Sequence, residues 1–123
     1  VASFFKEARR TLKSGGIIRL AVPNIKYQVD NYLKDGDADK FIESTHLTRK
    51  KPKTIIAKIK YLIIGDRNHQ WMYDGKSLCN LLSSAGFEEP RILETGLTTI
   101  PDPGMLDLKE RSPESVFVEA VNA

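Results

Sequence analysis

Cysteine and histidine are scarce in this 123-residue sequence, and their scarcity limits the chemistry that it can carry. The one cysteine, Cys79, excludes an internal disulfide framework and fits a reducing compartment. It falls in an apolar helical pattern, which indicates a packed side chain rather than a reactive thiol. The two histidines, His46 and His69, lie far apart and have no ligand partners at metal-binding spacing, so we expect no metal site.

Long apolar runs and the common nucleotide-binding motifs are also missing. No segment approaches the roughly 20 apolar residues that a membrane span needs. No signal peptide is visible, so we predict a cytoplasmic protein with no membrane partner. The sequence has no Gly-x-Gly-x-x-Gly motif, no Walker loop and no Gly-x-Ser-x-Gly elbow. The formal net charge of +3 is too small to indicate nucleic-acid binding by itself.

The clearest pattern that is present lies at residues 4–23. Apolar residues at helical spacing occupy residues 4–12, and Gly15 can adopt the left-handed conformation that ends such a helix. Residues 17–22 are nearly all apolar, as is typical of a strand covered on both faces, and Pro23 follows them. Helix, glycine turn and buried strand together predict one αβ unit of a parallel-sheet protein.

The other helices and strands are predicted from apolar periodicity and from cap residues. Asn24 and Asp74 are the expected helix N-caps, and Asp37 or Asp39 is expected to begin a short helix. The predicted helices cover residues 25–33, 39–46, 54–64 and 75–85, and the predicted strands cover residues 91–94 and 115–121. Residues 95–114 form a connection with three prolines, and such length usually signals function or disorder.

Residues 54–64 are strongly amphipathic and have two interpretations. The isoleucine-rich face packs against the core or forms part of a lid, or the helix is a basic surface for a membrane, an acidic partner or nucleic acid. We favour packing because the face lacks aromatic anchors. The basic segment at residues 49–60 still supports an alternative function, a non-catalytic module that binds an anion such as nucleic acid. That segment has no interleaved aromatics for base stacking, so this alternative ranks second.

Two short stretches are candidates for a site. His69, Trp71 and Tyr73 lead into a helix N-terminus and could line a pocket, with His69 as a general base. The alternative is that the two aromatics pack in the core and His69 pairs with a backbone carbonyl. Pro23 and Asn24 lie where open α/β sheets bind ligands, beyond the carboxyl end of a strand. The alternative for Asn24 is an ordinary helix cap.

Residues 5–23, 78–87 and 114–120 carry a further signal when they are compared together with known patterns. They resemble, in order, the helix and fifth strand, the next helix, and the final antiparallel strand of Rossmann-like S-adenosylmethionine-dependent methyltransferases. That family has an arginine-rich helix ending in Leu-Lys-Pro-Gly-Gly, and Ser14 stands here in place of the proline. Residues 69–74 and 106–112 look like an uncharacterised bacterial subfamily that is methyltransferase type 11-like.

The resemblance implies an α/β fold, a partial methyltransferase domain over residues 1–123. Its sheet would comprise strands five to seven, with the last strand antiparallel and with inserted helices. The family's glycine-rich cofactor loop would precede Val1, so the full-length protein alone would bind S-adenosylmethionine, and this chain would hold no cofactor residue. The chain would form the side that receives a small-molecule or sugar-type acceptor and would be inactive alone. In this chain by itself, the sheet edge that strand four should cover would be exposed and would invite pairing with a second copy.

Overall fold

The computed structural model describes residues 1–45, 54–56, 59 and 71–123. Four helices and three strands have both ends within the described residues. The helices are α1 (Ala2–Thr11), α2 (Ile25–Asp35), α3 (Ala38–Thr45) and α4 (Gly75–Ser84). The strands are β1 (Ile17–Pro23), β2 (Glu88–Leu93) and β3 (Ser115–Val121). The chain divides into two compact units, residues 1–27 with 73–123, and residues 28–72, and each is described by itself.

The first unit is built on a three-stranded sheet in the order β1-β3-β2. Strand β3 is antiparallel to both neighbours, and its pairing with β1 is regular from Ile17↔Val121 to Pro23↔Ser115. Strand β2 has an irregularity between Glu88 and Arg91 and begins three residues before the predicted start. The predicted α/β class and antiparallel last strand are confirmed. The expectation of a parallel sheet is wrong for the ladders that the structure describes, since β3 lies between β1 and β2 and is antiparallel to both.

The most buried strand is β3 and not β1, which corrects the expectation that β1 is covered on both faces. Five consecutive residues of β3, Val116 to Ala120, are buried. In β1 only Ile18 is buried, and Ala21 is exposed. The physical reason is position: β3 has a partner on each side, whereas the ladder of β1 within the described residues is with β3 alone.

The apolar core lies on one face of this sheet. Ile18, Val118 and the residues in register with them point toward α1 and α4. These helices contribute Phe5, Leu78 and Leu82, of which Leu82 is fully buried. Removing a leucine side chain of this kind from water stabilises the fold by about 1.5–3 kcal/mol. The predicted apolar face of residues 75–85 is therefore confirmed.

The ends of α1 and α4 have specific caps. The Asp74 carboxylate accepts the Ser77 N–H at 2.7 Å, and the Ser77 hydroxyl oxygen accepts the Asp74 N–H at 3.0 Å, which confirms the predicted cap of α4. Gly15 has the predicted left-handed conformation, with a φ of +78°. The prediction that it ends the helix is wrong, because α1 ends at Thr11, Leu12 is already extended and Gly15 lies in the turn before β1. The buried Asn122 amide donates to the carbonyls of Arg9, at 3.1 Å, and Leu12, at 2.9 Å. This second cap was not predicted.

The second unit includes most of α2, all of α3 and the described part of residues 54–72. The rings of Tyr32 and Phe41 lie 5.4 Å apart, and Asp37 accepts the Lys40 N–H, so Asp37 begins α3 as predicted. Residues 55, 56 and 59 are helical as predicted, but their isoleucine side chains are exposed. The expected packing of that face is therefore wrong at these residues. An amphipathic pattern shows which face is apolar, not whether another element covers it.

Candidate functional site

Three of the predicted site residues meet at the carboxyl end of β1. Pro23 is the last residue of the strand, and Asn24 forms an isolated parallel bridge with Tyr73. The Ile25 N–H donates to the Tyr73 carbonyl at 3.0 Å, while the Asn24 N–H donates to the Glu114 carbonyl on the β3 side at 2.8 Å. The chain that enters α4 therefore lies against the outer edge of β1 at this point.

The side chains at this junction already have structural roles. The Asn24 side-chain oxygen accepts the Lys26 N–H at 3.1 Å, so it caps α2. Tyr73 is half-buried and packs against the apolar core cluster. The cap and packing interpretations are thus confirmed for these two residues. A substrate-binding role for Pro23, Asn24 and Tyr73 stays a prediction.

The structure describes no contact between this junction and the other predicted site residues. Trp71 belongs to the second unit and is 71% exposed, so the interpretation that it packs in the core is wrong. His69 and His46 lie outside the described residues. The lysines of the basic segment, Lys50, Lys51, Lys53, Lys58 and Lys60, also lie outside them, and that hypothesis stays a prediction.

A polar cluster that the sequence analysis missed lies on the face of the sheet opposite the core. Arg19 and Glu119 are register partners, and the Arg19 Nη1 lies 2.8 Å from the Glu119 Oε1. Their side chains are 7% and 2% exposed, respectively. The Arg19 guanidinium also lies 5.0 Å from the centre of the Phe117 ring. The sequence carried a usable signal, since each charge interrupts an apolar strand.

The Glu119 carboxylate is held by donors from two parts of the chain. Its Oε1 accepts from Arg19 and from the Thr98 hydroxyl, and its Oε2 accepts from the N–H and the hydroxyl of Thr99. Burial raises the pKa of the Glu119 carboxyl, but the hydrogen bonds from Thr98, Thr99 and Arg19 outweigh that effect and lower the pKa below its ordinary value. Glu119 is therefore a charged anchor and not a proton donor at neutral pH.

An open groove of about 750 Å³ lies between α1 and the end of α4. Its lining includes Phe5, Leu81 and Ala85 together with the cations Lys6, Arg9 and Arg10. Arg10 is paired with Glu7 at 2.8 Å, and the Arg9 guanidinium lies 3.4 Å from the Asn122 side-chain oxygen. Most of the groove's charge is thus engaged within the protein, and none of the predicted site residues lines it.

Metal and thiol chemistry find no support in the part of the chain that is described. Among residues 1–45, 54–56, 59 and 71–123, no three His, Cys, Asp or Glu side chains could hold a metal ion. Cys79 is half-buried, and burial raises the pKa of its thiol, which disfavours the reactive thiolate. None of the described helices has the length and apolar character required to span a membrane.

Comparison of the chain with protein-family models, with curated proteins and with solved structures found no match.

Proposed function

We propose that the chain is the C-terminal, acceptor-side part of an S-adenosylmethionine-dependent methyltransferase. The observation that carries the proposal is the course of the final strand. Strand β3 runs antiparallel to β1 and β2, as the resemblance of the sequence to that family requires of its last strand. The segments that carry the resemblance also occur as α1, β1, α4 and β3 in the required order.

The residues of this chain do not fit the cofactor. The family's glycine-rich loop has no counterpart in the sequence. At the carboxyl end of β1, the Asn24 side chain caps α2 and the Tyr73 ring packs against the core. S-adenosylmethionine would therefore be bound by the full-length protein through residues outside this chain, and this chain alone would be inactive.

The role left to this chain is to position the methyl acceptor. Methyl transfer is an in-line displacement, and its rate depends largely on how the two reactants are held. Pro23, Asn24 and Tyr73 would form part of the rim that contacts a small-molecule or sugar-type acceptor. A base is required only if the acceptor must lose a proton, and His69 is then the candidate.

Calorimetric titration with S-adenosylmethionine tests this proposal. The full-length protein should bind the cofactor and residues 1–123 alone should not. Circular dichroism of residues 1–123 serves as the control that this part is folded during the titration. Saturable binding by residues 1–123 would contradict the placement of the cofactor site, and failure of the full-length protein to bind would contradict the proposed class.

Among the described residues, no strand pairs with the outer edge of β1 from Ile17 to Pro23. This edge supports a second part of the proposal, pairing with another copy of the chain. The N–H groups of Asn24 and the even-numbered residues before it point toward β3, because backbone direction alternates along a strand. The N–H groups of Ile17, Arg19 and Ala21 therefore point outward. Unpaired strand edges of this kind are templates for further pairing.

The Ala21→Pro variant tests the pairing, because it removes an outward N–H without removing a β1–β3 hydrogen bond. Light scattering of residues 1–123 should show a dimer without the substitution and a smaller dimer fraction with it. A monomer at all concentrations for unaltered residues 1–123 would contradict pairing through this edge.

A further inference from the structure

Residues 95–112, here called the strap, form a loop that is closed on itself. The hydroxyl oxygens of Thr95 and Ser112 lie 3.1 Å apart at its base. The Gly96 N–H donates to the Leu108 carbonyl at 3.0 Å, and the Leu106 N–H donates to the Pro103 carbonyl at 3.1 Å. A loop whose ends are joined and whose middle is bonded internally can move as one body.

Apolar burial contributes little to holding the strap in place. Residues 95–112 are all described, and none of them is buried. Leu97 and Leu106 are 55% and 47% exposed, and Met105 is fully exposed. Segments with few buried apolar contacts open at lower free energy than the core of a fold.

Polar contacts to two buried side chains attach the strap to the sheet. Glu119 accepts hydrogen bonds from Thr98 and Thr99, including the Thr99 N–H at 2.7 Å. Arg19 donates to the Leu97 carbonyl at 2.9 Å and, more distantly, to the Leu108 carbonyl at 3.4 Å. The same two side chains bond each other, so one ion pair holds both ends of the strap's central part. We call Arg19 and Glu119 the latch.

We propose that the strap is a hinged cover that opens as a unit when the latch releases, while the sheet beneath it stays folded. Opening exposes to solvent the face of the sheet that carries Phe117, Arg19 and Glu119. These side chains are accessible only in the open state. The hinge lies at the base, where Thr95 and Ser112 meet. This inference does not depend on the proposed methyltransferase function, since it rests on the contacts of the strap alone.

Amide hydrogen exchange tests the latch, with the Thr99 N–H as the reporter because it bonds Glu119 directly. The Glu119→Gln variant removes the charge that holds the donors, and we expect the Thr99 amide to exchange roughly 100-fold faster. The Val118 amide of β3 should change far less. The matched control is Glu89→Gln, whose partner Arg91 lies at 2.9 Å in an exposed pair, and it should change Thr99 exchange by less than about twofold.

A second variant keeps the proposal testable if Glu119→Gln does not fold. Replacing Thr98 and Thr99 by valine removes two hydroxyl donors and leaves the Arg19–Glu119 pair in place. Exchange of the amide at position 99, expressed relative to its intrinsic rate, should accelerate by roughly tenfold. An unchanged relative rate at position 99 in the variant that folds would show that the latch does not hold the strap. Equal acceleration of Thr99 and Val118 would show that the strap opens only by unfolding of the whole unit. Either result would overturn the proposal.

Discussion

The two faces of the same sheet are held in different ways. On one face, Leu78, Leu82 and Val118 pack in an apolar core, where attraction is non-directional and grows with the area buried. On the other face, Glu119 and Arg19 are buried beneath an exposed strap and depend on the placement of individual hydrogen bonds. Successive side chains of β3 point to opposite faces of the sheet. The same strand therefore contributes to an apolar layer held by non-directional packing and to a polar layer held by hydrogen bonds to Glu119.

The largest effect is expected on the apolar face. Leu82 is fully buried, and Leu82→Ala should lower the free energy of unfolding by about 2–5 kcal/mol, since it removes apolar contacts and leaves a cavity. The loss should be the same at pH 4 and pH 7, because no charge is involved. Urea denaturation at both pH values measures this loss. A strongly pH-dependent loss would contradict the claim that the apolar face is stabilised without charged groups.

On the polar face, Glu119→Gln should lower the free energy of unfolding by less than the usual loss for breaking a buried ion pair. Removing one partner of a buried pair typically costs 3–5 kcal/mol, but opening of the strap lets Arg19 reach water, so we expect a loss below about 3 kcal/mol. Urea denaturation against unaltered protein measures the difference. A loss of about 3–5 kcal/mol, the usual result of breaking a buried pair, would indicate that the strap cannot open separately.

The contribution of Glu119 to stability should decrease as the pH falls. The folded-state pKa of Glu119 is lowered from its ordinary value of 4.5, so its contribution to stability is fully present above that pH. The contribution is lost as the pH falls through the folded-state pKa. Arg19 and Arg91 are the register partners of Glu119 on the two neighbouring strands, and Glu89 is exposed to solvent.

Urea titrations from pH 7 down to pH 3 measure this dependence. The stability difference between the unaltered protein and Glu119→Gln should shrink at the acid end, after subtraction of the same titration for Glu89→Gln. A difference that grows on acidification would contradict the assigned direction of the pKa shift.

The smallest effect is expected at the end of α1, which the Asn122 amide caps. Asn122→Ala removes donors to the Arg9 and Leu12 carbonyls, and it should lower stability by roughly 1 kcal/mol because water can replace part of the cap. The Asn122→Asp variant loses the same donor and places a carboxylate against these carbonyls at the negative end of the helix dipole, so it should lower stability at least as much. Thermal unfolding by circular dichroism suffices, and an unchanged midpoint in both variants would show that the cap contributes nothing.

The sequence predicted features that are determined by residues close together in the chain, such as helix starts and the apolar face of a helix. Asp37 and Asp74 mark helix starts because their side-chain chemistry acts within a few residues, and both are found in these roles. Gly15 has the predicted left-handed conformation, but it lies in the turn before β1 and does not end α1. The apolar spacing of residues 75–85 likewise predicted which face of α4 is buried.

Features that depend on contacts between residues distant in the chain could not be predicted from the sequence. The order β1-β3-β2 brings a strand from the end of the chain between two earlier ones, which makes β3 the buried strand and leaves β1 at the edge. The latch joins Arg19, Thr98 and Glu119, and only the strand register and the course of the strap bring them together. A charge within an apolar strand indicates a partner but does not identify it.

The separate behaviour of the two faces is tested most directly by native-state hydrogen exchange of the unaltered protein in increasing, sub-denaturing urea. Exchange at the Thr99 amide should depend only weakly on urea, because opening of the strap uncovers the Phe117 ring but leaves the apolar core on the other face buried. Exchange at the Val118 amide should accelerate steeply, because it requires the core to unfold. Identical urea slopes and opening free energies for the two amides would contradict the latched strap, because both faces would then open in one event.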